Sequence, residues 1–313
     1  MRFAAFGGLK SLRLLDLPRP EAKPGEIVVE VAATSVNPID WKLRSGVFRW
    51  VSPLRFSSVP CFDFAGKVAE VGAGIDRLQP GMRVFGLRPL DRLGAACEAI
   101  VAAPSELVEI PSNVSMEQAA GVPLAGMTAL QALRTPKPSQ PSEKVLIVGA
   151  SGGVGHYAVQ IGKALAADIT AVCSTPNLGW VRDLGADAVL DYARGETDSP
   201  RPVFDRVFDA VSLGTFAHWR RWLKPDGVYV TLLPRGELLL HRVTSHFQSS
   251  RQGARAIFLR PNQDDLSTLA QWMEEGKLQT VIDSVYALEE LGAAFDKSRA
   301  GHARGKIIVR LFG

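Results

Sequence analysis

The stretch from Lys144 to Lys163 constrains this chain more than any other. Four apolar residues, Val145 to Val148, read as a short buried strand, and a glycine-dense turn follows. Val154, Ala158 and Ile161 then recur at helical spacing. Strand, glycine turn and helix in this order bring backbone N–H groups to a helix start, where they carry partial positive charge and face an anion. Glycine is needed where a side chain would block either the tight turn or the ligand. The spacing is Ala150-x-Gly152-x-x-Gly155, with alanine at the first glycine position of the usual dinucleotide fingerprint. Ala150, Ser151, Gly152, Gly153, Val154 and Gly155 are therefore the candidate seat of a dinucleotide pyrophosphate.

A chain of 313 residues is long enough for two domains with cores of their own. The formal net charge of +4 is mild, and Arg and Lys are scattered rather than grouped, which argues against nucleic acid as a partner. Cys61, Cys97 and Cys173 are odd in number and widely spaced, so they make neither a disulfide framework nor a metal knuckle. That usage fits a reducing cytoplasm. The longest uncharged run, Val145 to Gly162, is the glycine motif itself and too polar for a membrane helix. No targeting segment is expected at the N-terminus, where charges recur at Lys10, Arg13 and Asp16.

The chain changes character twice. Up to about Asn113 it carries short β-like runs, among them Ile27–Val31, Gly66–Val71, Arg83–Phe85 and Leu107–Ile110, punctuated by glycine and proline. Residues 115–133 read as helical, opened by a capping box of Ser115 and Gln118. A proline-rich loop, 135–142, leads into the glycine motif. Strands and helices alternate after it, which predicts an α/β doubly wound parallel sheet. A helix over 265–275, an extended piece over 281–285, a helix over 288–298 and a strand over 306–311 close the chain.

An ordered set of motifs runs along nearly the whole chain. It comprises Ser35-Val-Asn-Pro-Ile-Asp40-Trp-Lys42-Leu-Arg44-Ser-Gly46, then Pro60-Cys-Phe-Asp63-Phe-Ala-Gly66, then Gly81-Met-Arg-Val-Phe-Gly86. Ala120 to Leu130, the glycine motif, Leu184 to Tyr192 and Gly301 to Lys306 complete it. In this the chain resembles the medium-chain dehydrogenase/reductase superfamily, in its zinc-independent quinone oxidoreductase branch. The resemblance implies a β-rich GroES-like substrate domain, residues 1–113 completed by 260–313, and a Rossmann dinucleotide-binding domain, 114–259.

Zinc-bearing relatives hold a catalytic metal with a cysteine and a Gly-His-Glu motif. Here Asp40 falls at or near the cysteine position and Phe62-Asp63 replaces His-Glu, while only Cys97 lies between Arg88 and Ala103. A structural zinc takes about four ligands and a catalytic zinc about three plus water. No metal is therefore expected.

Without a Lewis acid an alcohol is a poor substrate, whereas a quinone or an α,β-unsaturated ketone or aldehyde needs less help. Hydride adds to its electron-poor carbon, and a positioned donor stabilises the charge that develops on the carbonyl oxygen. The resemblance places Lys42 in the segment that lines the nicotinamide, and Lys42 is the candidate donor; the alternative is a solvated charge. Asn37 is the candidate contact to cofactor ribose or substrate, and so the second catalytic candidate. Asp40 reads instead as a helix-capping or ion-pairing residue, the latter with Arg44. Thr128 resembles the family threonine near the nicotinamide or its phosphates, against a helix residue bonding back to its own turn. Lys306 is either a cofactor contact or a surface lysine.

Cofactor choice turns on the end of the second strand after the glycine turn. An acid there would bind an adenosine 2′-hydroxyl and repel a 2′-phosphate. The chain reads Cys173-Ser174-Thr175-Pro176-Asn177, with no acid and also none of the Arg or Lys that many relatives carry at Pro176 or Asn177. Ser174, Thr175 and Asn177 suit a phosphate, and Tyr192 matches the family tyrosine that closes over it, so NADPH is favoured over NADH. Phe48 and Trp50 belong to an aromatic segment, Phe48–Phe56, that reads as a substrate lid or as a buried loop. Cys61 stands where relatives commonly have glycine. An apolar edge formed by Val228–Leu233 and Leu238–Leu240 suggests a homodimer. The alternatives to a quinone or enone reductase are an enoyl-thioester reductase and an NADPH-binding protein with little activity.

Overall fold

The structure is a computed structural model, and it describes residues 12–44, 59–89, 94–136, 140–212, 214–232 and 252–311. In chain order its strands begin with β1 (Ile27–Val36), β2 (Asp63–Val71), β3 (Arg83–Leu87), β4 (Ala99–Ala102) and β5 (Leu107–Glu109). They continue with β6 (Lys144–Val148), β7 (Asp168–Cys173), β8 (Ala188–Asp191), β9 (Phe204–Asp209) and β10 (Leu223–Thr231). The last three are β11 (Gly253–Ala256), β12 (Ile282–Ala287) and β13 (Lys306–Arg310). The helices are α1 (Pro38–Arg44), α2 (Met116–Ala120), α3 (Pro123–Leu133) and α4 (Gly155–Ala164). After them come α5 (Leu178–Asp183), α6 (Phe216–Trp219), α7 (Gln263–Glu274) and α8 (Leu291–Ala300).

Two compact units result, one of residues 1–127 with 261–313 and one of 128–260. The first unit is built on a seven-stranded sheet in the order β12-β13-β1-β2-β3-β5, with β4 also pairing β1. Its centre is β1, where Ile27, Val28, Val29 and Val31 are wholly buried. Each such side chain contributes about 1.5–3 kcal/mol. β13 pairs antiparallel with β1, Ser35 opposite Ile308, so the C-terminal segment returns to complete this unit. α2 packs on β1, β2 and β13. It therefore belongs with the first unit, whereas a boundary at 113 would have given it to the second.

The second unit is a six-stranded, all-parallel sheet in the order β11-β10-β9-β6-β7-β8. From β6 the chain runs outward through β7 and β8, then crosses back to β9, β10 and β11. The strand order therefore reverses between β6 and β9, which is where open α/β sheets bind ligands. The architecture is the α/β pairing of a GroES-like sheet and a Rossmann sheet.

Three local departures have physical causes. The helix expected over 115–133 is two helices, because Pro123 has no N–H to continue the α2 ladder and instead opens α3. The Ser115–Gln118 capping box does form. β10 is not an edge of the sheet, since β11 pairs with it at Val228–Thr231; Leu233 and Leu238–Leu240 lie outside the described residues. β11 reads Gly-Ala-Arg-Ala, with no β-branched or aromatic residue to announce a strand.

Candidate functional site

In the first unit, β1 ends at Val36 and α1 begins at Pro38, so Asn37 caps α1. Its backbone N–H donates to Asp40 Oδ2 at 2.6 Å, the reciprocal contact of a helix cap. Asp40 is thus the helix-capping residue of the two readings; the Arg44 side chain lies outside the described residues. The Asn37 side chain is turned inward and only 3 % of the residue is exposed. Its Nδ2 donates to Asp63 Oδ2 at 2.8 Å, and its Oδ1 accepts from Lys306 Nζ at 2.7 Å. Asp63 also accepts from the Ser35 hydroxyl and from the Leu124 backbone N–H at 2.7 Å. Lys306 Nζ stands 3.7 Å from Asp63 Oδ2.

Lys306 is therefore not a surface lysine; only 2 % of it is exposed, and it fastens β13 to the start of α1. Burial pulls its pKa down, opposed by the carboxylates of Asp63 and Asp40. Burial raises Asp63, although Lys306 and the hydroxyl, amide and N–H donors favour its charged form. Asp40 is pushed well above the usual carboxylate range, first by burial and further by Asp63. Its Oδ1 meets no hydrogen-bond partner among the described residues. One buried cation faces two carboxyls, and Asp40 is the one that burial and its neighbour Asp63 most disfavour as an anion. Cys61, beside this cluster, has φ +69°, the left-handed backbone that glycine adopts most easily. This accounts for the glycine that is usual at the position; the cysteine holds the same backbone against the cost of a Cβ. Burial pushes its thiol up, away from thiolate chemistry.

Lys42 lies on α1, half-buried, with its ammonium 5.5 Å from the centre of the Trp41 ring. Trp41 Nε1 in turn donates to Ser298 Oγ on α8 at 3.1 Å, which ties α1 to the body of the first unit. Thr128 is buried within α3. Phe48, Trp50 and the rest of the aromatic segment to Phe56 lie outside the described residues.

In the second unit, Gly149 takes φ +76° at the end of β6. The N–H groups of Gly149 and Ala150 both donate to Val172 O on β7, each at 3.0 Å. Ala150 is fully buried, so it shapes the turn with its N–H already bonded. A Cβ at Gly155 would stand 2.1 Å from Gly149 O, so only glycine fits there. At Gly152 a Cβ would meet nothing closer than 3.4 Å. Ser151 to Val154 remain half-exposed, and no side chain caps the N-terminus of α4. An uncapped helix start behind an open glycine turn fits the pyrophosphate of a dinucleotide. His156 and Tyr157 are wholly buried, with ring centres 3.9 Å apart, as packing residues.

At the end of β7 the polar residues separate. Asn177 is buried, and its Nδ2 donates to Ser174 Oγ at 2.9 Å and Ser151 Oγ at 3.2 Å. Its Oδ1 accepts from Trp180 Nε1 at 3.1 Å, so Asn177 braces the glycine turn from within. Thr175 and Tyr192 are exposed and Ser174 half-exposed. Thr175 Oγ1 donates to Asp191 Oδ2 at 2.5 Å. Asp191, which closes the neighbouring strand β8, and Arg194, which follows it, pair at 3.4 Å and escaped the sequence reading. Asp209 escaped it too. It accepts from Tyr229 and from the N–H groups of Ser212 and Gly214 at the end of β9, beside the point of strand reversal. An acid closing a parallel strand was the available signal for both Asp191 and Asp209.

A seven-stranded unit completed by the C-terminal strand, together with a parallel sheet carrying a glycine turn at its reversal point, defines a class of two-unit oxidoreductases. Residues 23–132 match the alcohol dehydrogenase GroES-like domain family, and residues 184–309 match the zinc-binding dehydrogenase family. The chain is 36 % identical over 312 residues to a chloroplast envelope quinone oxidoreductase homolog of Arabidopsis thaliana, covering 97 % of this chain and 95 % of that protein. It is 32 % identical to the trans-enoyl reductase pgmF of Aspergillus terreus, over 92 % of this chain and 87 % of that one. The solved quinone oxidoreductase from Coxiella burnetii superposes with a TM-score of 0.86 at 29 % identity, covering 99 % and 98 % of the two chains. The protein belongs to the medium-chain dehydrogenase/reductase superfamily, alongside its quinone oxidoreductases. It is an oxidoreductase, and no helix among the described residues is long and apolar enough to cross a membrane.

Proposed function

We propose that the protein uses NADPH, without zinc, to reduce a conjugated carbonyl: a quinone or an α,β-unsaturated ketone or aldehyde. The observation that carries the zinc-free reading is the Lys306 ammonium lodged 3.7 Å from Asp63 Oδ2, inside the cluster where zinc-bearing relatives keep a ligand. Asp63 is already held by Ser35, Asn37 and the Leu124 N–H, and a divalent ion there would face a buried cation. Among the described residues, no group of three or more His, Cys, Asp or Glu is placed to hold a metal. The donor set does not fit zinc, although one matching family is described as zinc-binding.

The second unit does fit a dinucleotide. Ser151, Gly152, Gly153 and Val154 would hold the pyrophosphate, in a turn shaped by Ala150 and Gly155. Ser174 and Tyr192 would meet the adenosine 2′-phosphate, with Asn177 bracing Ser174 and Thr175 turned to Asp191. Thr128 keeps the nicotinamide-side role that the resemblance gives it. Bound NADPH supplies the hydride. Lys42 donates to the carbonyl oxygen as charge develops on it. Asn37, through the cap and the buried cluster, holds α1 and so orients Lys42. A homodimer along the edge of the second unit's sheet, where β11 is the last described strand, belongs to the same reading. The three cysteines are free and buried, as suits the reducing cytoplasm.

The similarity to a trans-enoyl reductase favours a second substrate class, enoyl thioesters. One experiment separates the alternatives: NADPH oxidation by chelator-treated protein, scored against quinones, alkenals, cyclic enones and enoyl thioesters. Turnover with quinones or enones is expected. Turnover confined to thioesters establishes the second class, and a flat response leaves only an NADPH-binding protein. One zinc per chain whose removal abolishes activity would sink the zinc-free account.

A further inference from the structure

The end of β7 offers hydroxyls to a phosphate but no cation, since Ser174, Thr175, Pro176 and Asn177 include neither Arg nor Lys. The neighbouring strand supplies one. β8 runs parallel to β7 with Asp191 opposite Cys173, so the residues that follow the two strands emerge side by side. Thr175 and Arg194 both reach one atom there, Asp191 Oδ2, at 2.5 Å and 3.4 Å. The other carboxylate oxygen accepts from the Ala193 N–H at 2.9 Å, and the Asp191 N–H is held by Glu196 Oε2 at 2.7 Å. The turn that carries Tyr192 and Arg194 is thereby pinned against the one that carries Thr175.

We propose that Arg194, held by Asp191, is the residue that selects a 2′-phosphorylated cofactor. This rests on the NADPH reading above and assigns the cation that reading lacks. Asp191 is wholly buried with both oxygens engaged, so it cannot serve as the acid that binds a free ribose 2′-hydroxyl. Arg194 has the opposite character. Its side chain is 65 % exposed and meets Asp191 through Nε, which leaves the two terminal nitrogens of its fork for a second anion. A phosphate ester there would find the guanidinium of Arg194 and the hydroxyls of Ser174 and Tyr192. A ribose hydroxyl would gain little from the cation. Asp191 and Glu196 are both turned to the pinned backbone rather than to that ligand, and Arg194 offsets the nearer charge.

The test is binding, followed by quenching of the intrinsic tryptophan fluorescence, with NADPH, NADH, 2′,5′-ADP and 5′-ADP as probes on wild type and on Arg194→Ala. Wild type is expected to bind NADPH more tightly than NADH. In Arg194→Ala the Kd of NADPH and of 2′,5′-ADP should rise about tenfold or more, while those of NADH and 5′-ADP stay within about twofold. Arg194→Lys, which keeps the charge and loses the fork, should fall between the two. If wild type prefers NADPH and Arg194→Ala prefers it equally, the role of Arg194 is overturned and the cofactor reading survives. Equal weakening of all four ligands would make Arg194 a merely structural residue and also overturns the proposal. No preference in wild type removes the cofactor reading itself, and the proposal with it.

Discussion

Asp63 and Asp191 are both wholly buried carboxylates, each bonded to a neighbouring hydroxyl and each facing a cation, yet their surroundings differ in one respect. The partner of Asp63 is Lys306, with 2 % of its side chain exposed; the partner of Asp191 is Arg194, with 65 % exposed. The first pair is closed on itself: Lys306 bonds Asn37, Asn37 bonds Asp63, and Asp63 bonds Ser35 and Leu124. It fastens four separate stretches of chain: β13, the β1–α1 junction, β2 and the start of α3. The second pair is open on the side away from the acid. A sealed pair holds the fold in one arrangement, whereas an open one holds a cation ready for a ligand. Motif position does not reveal which is which, since Asn37 stands in a family motif and Asn177 does not, yet both turn inward.

The largest expected effect breaks this contrast on stability. Lys306→Met would leave Asp63 buried without its cation, which typically costs about 3–5 kcal/mol. Arg194→Ala, at an exposed pair, should cost less than about 1 kcal/mol. Urea unfolding of the two variants measures both, and similar losses would show that the two pairs are not different in kind.

Next comes catalysis. Lys42→Ala should lower saturated turnover by about a hundredfold, leave NADPH affinity nearly unchanged and leave the urea midpoint in place. Asn37→Ala should instead lower the midpoint together with turnover, because it removes the hub of the sealed cluster as well as the order of α1. A Lys42→Ala variant that keeps its turnover on the best quinone and the best enone returns Lys42 to a solvated charge.

The smallest effect concerns Asp40, whose pKa is raised by burial and by Asp63. Below the unfolded value of about 3.9, both states carry the proton and its contribution to stability is complete. As pH rises the unfolded chain ionises while the folded one holds its proton, so that contribution is lost progressively up to the folded pKa. Asp40→Asn removes this loss. Relative to wild type it should gain stability at pH 7 and show little gain at pH 4. A gain equal at the two pH values would contradict the raised pKa of Asp40.

Much of the fold was legible because its signals are local. The apolar run Val145–Val148, the glycine spacing and the Ser115–Gln118 box each act within a few residues. β4 and β11 were missed because each is only four residues long, too short for a period to stand out, and β11 has no β-branched or aromatic residue. The site was legible in part. Motif position singled out Asn37, Lys42, Ser174 and Tyr192, but partners came from distant sequence. Lys306 is 269 residues from Asn37, and Asp191, which also holds Arg194, meets Thr175 only because β8 lies next to β7. Burial decides which polar group bonds inward, and burial is a property of the whole packing.

The central claim is hydride transfer to a conjugated carbon without a metal, and isotope placement tests it most directly. Chelator-treated protein is supplied with NADPH bearing two deuterium atoms at nicotinamide C4 and a cyclic enone in ordinary water, and the product is read by NMR. Deuterium on the carbon β to the carbonyl, with hydrogen from water on the α carbon and undiminished turnover, is the expected result. Deuterium on the carbonyl carbon of an allylic alcohol, or transfer that appears only when zinc is restored, would contradict it.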